Sequence, residues 1–399
     1  MHSIRGASER SSLSVLLALV INTACDSADR RSPGTQFRDS AGIRIATGPR
    51  PDLPLSWRAH PVFTVGGRDE GLEAFHQVGH AVMGDTQGQL YVLDKGNHRV
   101  VIFDTLGLVV TVRGSRGGGP GELENPRALV VDANGTLTVF DSAKRGFVRW
   151  DAAGAFLDVV PARHSSGNER IALIGQRVIH VVSERFGGSG ARIHKLLSYG
   201  SGVDSVVLAS RVSPPGVTVA FSTCPLTFPN LPRFLEGEIR WHATGDRLLI
   251  QRDDAYRIEV WLRAELVKVI ERPVDPFEVT QHLAEQAAAE EFGAEGFVVT
   301  YPNGRCVISP ADMVAARGYA EHVSAVRRIR ASPDGGLWVE RLTTENEHPI
   351  DVFADSGEYI GTLPHGTPFP DAFLGVDRFA VVERDTLDIE IVTVYRIDR

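Results

Sequence analysis

The strongest constraint on this chain is a paragraph of sequence written twice. Val78 to Asp104 reads VGHAVMGDTQGQLYVLDKGNHRVVIFD, and Asn125 to Asp151 reads NPRALVVDANGTLTVFDSAKRGFVRWD. Gly88 and Gly135, Asp94 and Asp141, Asp104 and Asp151, and Gly107 and Gly154 all keep one spacing of 47 residues (135 − 88). Each copy holds an apolar strand, a Gly-bearing turn, a second strand and turn, a third strand, and a Gly hairpin into a fourth. A fixed period of this length marks architectures built from one supersecondary unit per repeat. Four strands per unit is the grammar of a β-propeller blade. The expected fold class is therefore all-β, a ring of four-stranded antiparallel blades.

The ruler finds further blades. Ile171 to Leu208 keeps strand character, Arg240 to Ile270 reads as a fourth blade, and Val323 to Thr362 restores the pattern with ASPDGGLWVE and DVFADSGEYIGTL. Phe373 to Ile397 lacks a fourth strand of its own. The N-terminal segments Ala41 to Ala46 and Pro61 to Val65 are expected to supply it, pairing the chain ends and removing exposed edges. Six blades result, or seven if Pro161 to Phe234 holds two. VLDKGNHRVVIFDTLG, followed by GGGPGEL and ENP, resembles the NHL-repeat group of propellers, with its Asp-x-Gly-Asn-x-Arg-Val turn and Phe-Asp-x-x-Gly hairpin. The resemblance covers Phe75 to Asp158 and fades afterwards. It implies a six-bladed propeller. It also brings in relatives that are amidating lyases with a His-held metal, or lactonases with a carboxylate-bound divalent cation.

Two stretches break the rhythm. Residues 212–234 are proline-rich and cannot continue a ladder at their prolines, so a loop insertion is expected there. Residues 275–321 are expected to be a helical insertion between blades 4 and 5. Asp275-Pro276 reads as a helix opening before FEVTQHLAEQAAAEEF, and Ser309-Pro310 repeats it before ADMVAARGYAEHV.

Residues 1–24 read as a signal peptide: Arg5 and Arg10 precede an apolar run, Leu13 to Ile21, too short to span a bilayer. The run ends at Thr23-Ala24-Cys25, which resembles the lipobox of bacterial lipoproteins and implies lipidation of Cys25. Residues 25–40 read as a polar tether, and 41–399 as a single propeller domain. The expected location is a bacterial cell envelope, lipid-anchored or secreted to the periplasm, with the lipid anchor as the only membrane attachment. In that compartment Cys224 and Cys306 can pair as a disulfide, or stay as two buried thiols.

A net charge of −8 and a pI near 5.9, with no Lys/Arg block, exclude a nucleic-acid surface. The run Gly114 to Gly121 has no Gly-Lys-Ser/Thr and no helix behind it, so it is a crossing between blades rather than a phosphate loop. Asp94, Asp141 and Arg99 read as turn and blade-edge scaffold. Aligning blades by Gly88, Gly135 and Gly335 brings His80, Arg127 and Arg327 into one position at the start of the channel-lining strand, with Arg240 near it in blade 4. Convergent Arg and His would make a positive pocket for carboxylate or phosphate. No catalytic residue, metal ligand or cofactor is expected. The leading reading is a non-catalytic, monomeric binding module for a small anionic ligand or a protein partner. The alternative is a lyase or lactonase using Ca or Zn in the channel.

Overall fold

The computed structural model describes residues 34–399, apart from 68–69, 80–81, 86, 163–169, 175–176, 187–190, 200–204, 222–223, 225, 303 and 344–346. Six antiparallel blades form a ring, each built on four strands. Their innermost strands are Val82–Gly84, Pro126–Val131, Ala172–Ile174, Arg240–Thr244, Val326–Ala331 and Ala372–Phe373. The inner strands of blades 1 to 5 pack in succession around the axis, and Ala372–Phe373 of blade 6 packs back onto Val82–Gly84. Cys25 and the signal-like segment lie outside the described residues.

The second strands of blades 1, 2 and 5 are buried on both faces, because blades stack face to face. Leu90–Asp94 and Leu137–Asp141 are buried throughout, and so read as continuous apolar runs rather than alternating ones. The turns before them are held by aspartate. Asp85 Oδ1 accepts the Gln87 and Gln89 amides at 2.9 and 2.8 Å, and Asp132 Oδ1 repeats the pattern with Asn134 and Thr136 at the same distances. Gly88 and Gly135 follow with φ of 81° and 80°, a conformation that costs a side-chain-bearing residue energy. Asp94 accepts from the His76 amide and pairs with Arg99 at 3.0 Å, while Asp141 accepts the amides of Glu124, Asn125, Ala143 and Lys144. Both aspartates are scaffold.

The ring closes as one of the N-terminal segments predicted. Arg58–Gly66 pairs antiparallel with Glu390–Asp398, from Arg58↔Asp398 to Gly66↔Ile391. The other segment goes elsewhere. Ile43–Thr47 runs parallel to Glu265–Glu271, the outer strand of blade 4, and Gln36–Ser40 pairs outside it, giving that blade a six-stranded sheet. The tether expected over 25–40 is therefore strand from Gln36 onward. These added strands cover an edge that would otherwise present unpaired backbone groups.

The expected loop at 212–234 is a hairpin. Val217–Phe221 pairs with Leu226–Leu231, with an irregularity between Val217 and Val219 that lets the proline-rich chain pair only in part. The insertion at 275–321 holds helix α1, Gln281–Phe292, a hairpin of Phe297–Tyr301 and Gly304–Ile308, and helix α2, Pro310–Arg317. Helix α1 does not open at Asp275-Pro276. Phe277–Glu278 first forms a short ladder with His322–Val323, and Thr280 becomes the cap, its Oγ1 accepting the Leu283 amide at 3.2 Å. Helix α2 opens at Ser309-Pro310 as the sequence indicates.

The two insertions are one cap. Phe234, Ala284, Ala288, Ile308 and Met313 share a buried core, Phe234 pairs with Tyr319, and Arg317 packs 4.0 Å over the Phe234 ring. Cys224 and Cys306, one from each insertion, are joined as a disulfide with Cα atoms 5.9 Å apart.

Candidate functional site

Two concavities involve the inner strands. The first is a groove of about 120 Å³ under α1, where the cap meets the beginnings of the inner strands of blades 4 and 5. Leu283, Ala287 and Glu290 of the helix face Arg240, Val326 and Arg327 of the ring, and Leu342 and His348 complete the wall. Two of the four predicted channel residues therefore meet here. Arg327 is a bulge residue, skipped in the pairing between Val326↔Arg341 and Arg328↔Glu340, which turns its side chain out of the ladder toward the cap. It is neutralised by Glu340 at 3.2 Å and Glu290 at 3.9 Å.

Arg240 differs. Its Nε donates to the Arg327 carbonyl at 3.2 Å, and Nη1 lies 3.5 Å from both the Glu238 carbonyl and Gln251 Oε1. Among the described residues it forms no ion pair with a carboxylate. Burial pushes its guanidinium below arginine's ordinary range, with Glu238 and Asp254 only partly offsetting this. Across the groove, His348 Nδ1 is buried without a hydrogen-bond partner among the described residues. A buried polar atom without a partner is costly, and such groups mark places where a ligand or water completes the set.

The second concavity is on the propeller axis, with a volume of about 50 Å³. All six blades contribute, with Met83, Leu129, Ala172, His242, Arg330 and Asp371 among its walls and Arg170 beside them. Sequence alignment pointed to the position three residues too early. In the aligned copies Arg330 stands where Met83 and Val130 stand, five residues before the turn glycine. An arginine replacing apolar residues in a buried strand was the available signal. Arg127, the bulge residue between Pro126↔Asp141 and Ala128↔Phe140, lines neither concavity. His80 lies outside the described residues.

Among the described residues, no group of three or more His, Cys, Asp or Glu side chains could hold a metal ion. The axial walls offer guanidinium groups, one imidazole and one carboxylate, which do not fit the Ca or Zn site that lyase or lactonase chemistry would require.

A family model described as a 6-bladed beta-propeller, DUF5128, matches residues 79–160. No curated protein sequence matches. Among solved structures, a Bacteroides fragilis protein inferred to be exported superposes with a TM-score of 0.50 at 12% identity, covering 89% of this chain and 100% of its own. A DUF4221-family member from Bacteroides vulgatus gives 0.44 at 9% identity, with 92% and 99% coverage. Virginiamycin B lyase from Staphylococcus aureus gives 0.34 at 10% identity, with 85% and 99% coverage. Likeness at such identities speaks to the fold alone.

Proposed function

We propose that the protein is a non-catalytic binding module, taking a small organic carboxylate in the groove beneath α1. The observation that carries this is Arg240, a half-buried guanidinium whose partners among the described residues are neutral oxygens, while the Arg327 beside it in the same groove is paired with carboxylates. A carboxylate there would gain a charge-assisted, fork-shaped partner. His348 Nδ1 offers a second polar contact, and Leu283, Val326 and Leu342 suit a short aliphatic portion.

Calorimetric titration of a panel of short-chain carboxylates tests this. At least one member should bind, and Arg240→Met should weaken it roughly 10- to 100-fold, the worth of one hydrogen-bonded charge. A panel that shows no binding, or binds equally well to the variant, contradicts the proposal. Metal analysis separates it from a metal-dependent lyase or lactonase, for which stoichiometric Ca or Zn would be found.

We further take the chain to be exported and anchored through Cys25. The signal-like residues 1–24 support this, as does the Cys224–Cys306 disulfide, a bond that persists in oxidising compartments. Detergent-phase partitioning that survives Cys25→Ser would contradict the anchor.

A further inference from the structure

The axial cavity gathers two guanidinium groups against one carboxylate among the described residues, that of Asp371. Arg330 is 3% exposed, yet its hydrogen bonds run to two carbonyls, Asp371 O at 3.3 Å and Ile329 O at 3.2 Å. The nearby Asp371 carboxylate is shared with other groups. Its Oδ2 accepts the Val382 amide at 2.9 Å, and its Oδ1 lies 3.6 Å from Arg328. Arg328 itself is held by Glu340 through two bonds of 2.5 and 2.8 Å. Burial, with the Arg170 charge added, holds Arg330 well below arginine's ordinary range. Burial lowers Arg170 as well, opposed by Asp371 and Glu238 and reinforced by Arg328. Arginine does not shed its proton in proteins, so both shifts measure the cost of keeping two cations in one dry place.

His242 fixes the sign of the third wall. Its Nδ1 accepts the Ala331 amide at 3.1 Å and so carries no proton. Burial first, then Arg330 and Arg170, keep the ring neutral, which leaves the proton on Nε2 as a donor. His242 is one of the residues that line the cavity. Three donor groups thus surround a volume that accommodates a few waters or one compact ion.

We propose that this axial cavity is a second, separate anion site, built for a small tetrahedral oxyanion of the phosphate or sulfate kind held by Arg170, Arg330 and His242. The donors approach from the entry to blade 3 and from the inner strands of blades 4 and 5. An ion presenting oxygens in several directions meets them better than a planar carboxylate does. The volume admits the ion and excludes an organic substituent. The bound ion would sit among all six inner strands, so occupancy is expected to stabilise the ring closure itself.

The test begins with the full-length protein in a chloride buffer free of oxyanions. Inorganic phosphate and sulfate are titrated, with sodium acetate and sodium chloride at matched ionic strength as the other arms. Phosphate or sulfate should raise Tm saturably, because a ligand bound only by the folded state stabilises it. Arg330→Met and Arg170→Met should each weaken calorimetric affinity roughly 10- to 100-fold, and Arg240→Met should leave it unchanged. Without oxyanion, Arg330→Met should melt no lower than wild type; should it fail to fold, Arg170→Met decides. A flat response to both oxyanions, an equal response to acetate in Arg240→Met, retained binding in Arg170→Met, or loss of oxyanion binding in Arg240→Met would each overturn the assignment.

Discussion

Two sets of arginines meet around blades 4 and 5, one between those blades and one on the axis with Arg170 from the entry to blade 3, and what faces them differs. Between the blades, Arg272 and Arg341 converge on Asp351, which is fully buried. Asp351 Oδ2 lies 2.8 Å from Arg272 and 3.1 Å from Arg341, and also accepts the Tyr256 hydroxyl at 2.8 Å. Its Oδ1 accepts Thr362 Oγ1 at 2.7 Å, and Asp52 adds a second carboxylate to both arginines. On the axis, Arg330 donates to two carbonyls and, like Arg170, shares the cavity with a neutral imidazole and a single carboxylate among the described residues, Asp371. Burial opposes the charge on Arg272 as it does on Arg330, yet Asp351 holds Arg272 above arginine's ordinary range while Arg330 falls well below it. Burial therefore does not distinguish scaffold from site in this ring. The partner does, because a buried charge is tolerated when paired and demands an occupant when it is not.

The largest expected effect breaks the paired set. Asp351→Ala leaves two guanidinium groups facing a gap, and should cost about 3–5 kcal/mol in denaturant unfolding. A loss under about 1 kcal/mol would mean the network is not structural. Next is the latch between the two insertions. Cys306→Ser should lower unfolding stability by about 2–4 kcal/mol. It should also weaken carboxylate binding in the groove, whose roof is the cap, while leaving oxyanion binding on the axis intact. Equal loss at both places would show that they are not independent.

The smallest effect concerns pH. Burial raises Asp52, but Arg341 and Arg272 outweigh it and hold the carboxyl below its usual range. A group depressed on folding contributes stability above its unfolded pKa, near 3.8, and that stability is lost as pH falls through the folded value. Wild-type stability should therefore decline below about pH 4 more steeply than that of Asp52→Asn, measured as unfolding midpoint against pH. Parallel profiles would remove Asp52 from the network.

Much of the ring was legible because its turns repeat their chemistry. Asp85 and Asp132, each followed by a glycine that needs positive φ, fixed the register of blades 1 and 2 and carried it to blade 5. The parallel addition of Ile43–Thr47 to blade 4 left no such mark, since any short alternating strand can cover an edge. The proline-rich hairpin was hidden for the converse reason: prolines forbid a full ladder but tolerate a partial one. Arg240 and Arg327, named from sequence because they begin inner strands, lie together in the groove under the cap. Arg330 and His242, which line the axial cavity, were not named because the turn-based ruler pointed to the bulge position rather than to the middle of the strand, where the copies diverge from apolar to polar.

The most direct measurement compares Arg272→Met with Arg330→Met in the same unfolding experiment, in buffer without oxyanion. Both remove one buried guanidinium from the same pair of blades. The account predicts that Arg272→Met loses about 3–5 kcal/mol, because Asp351 is left charged and buried, whereas Arg330→Met loses nothing or gains stability. Equal losses in the two variants would contradict it.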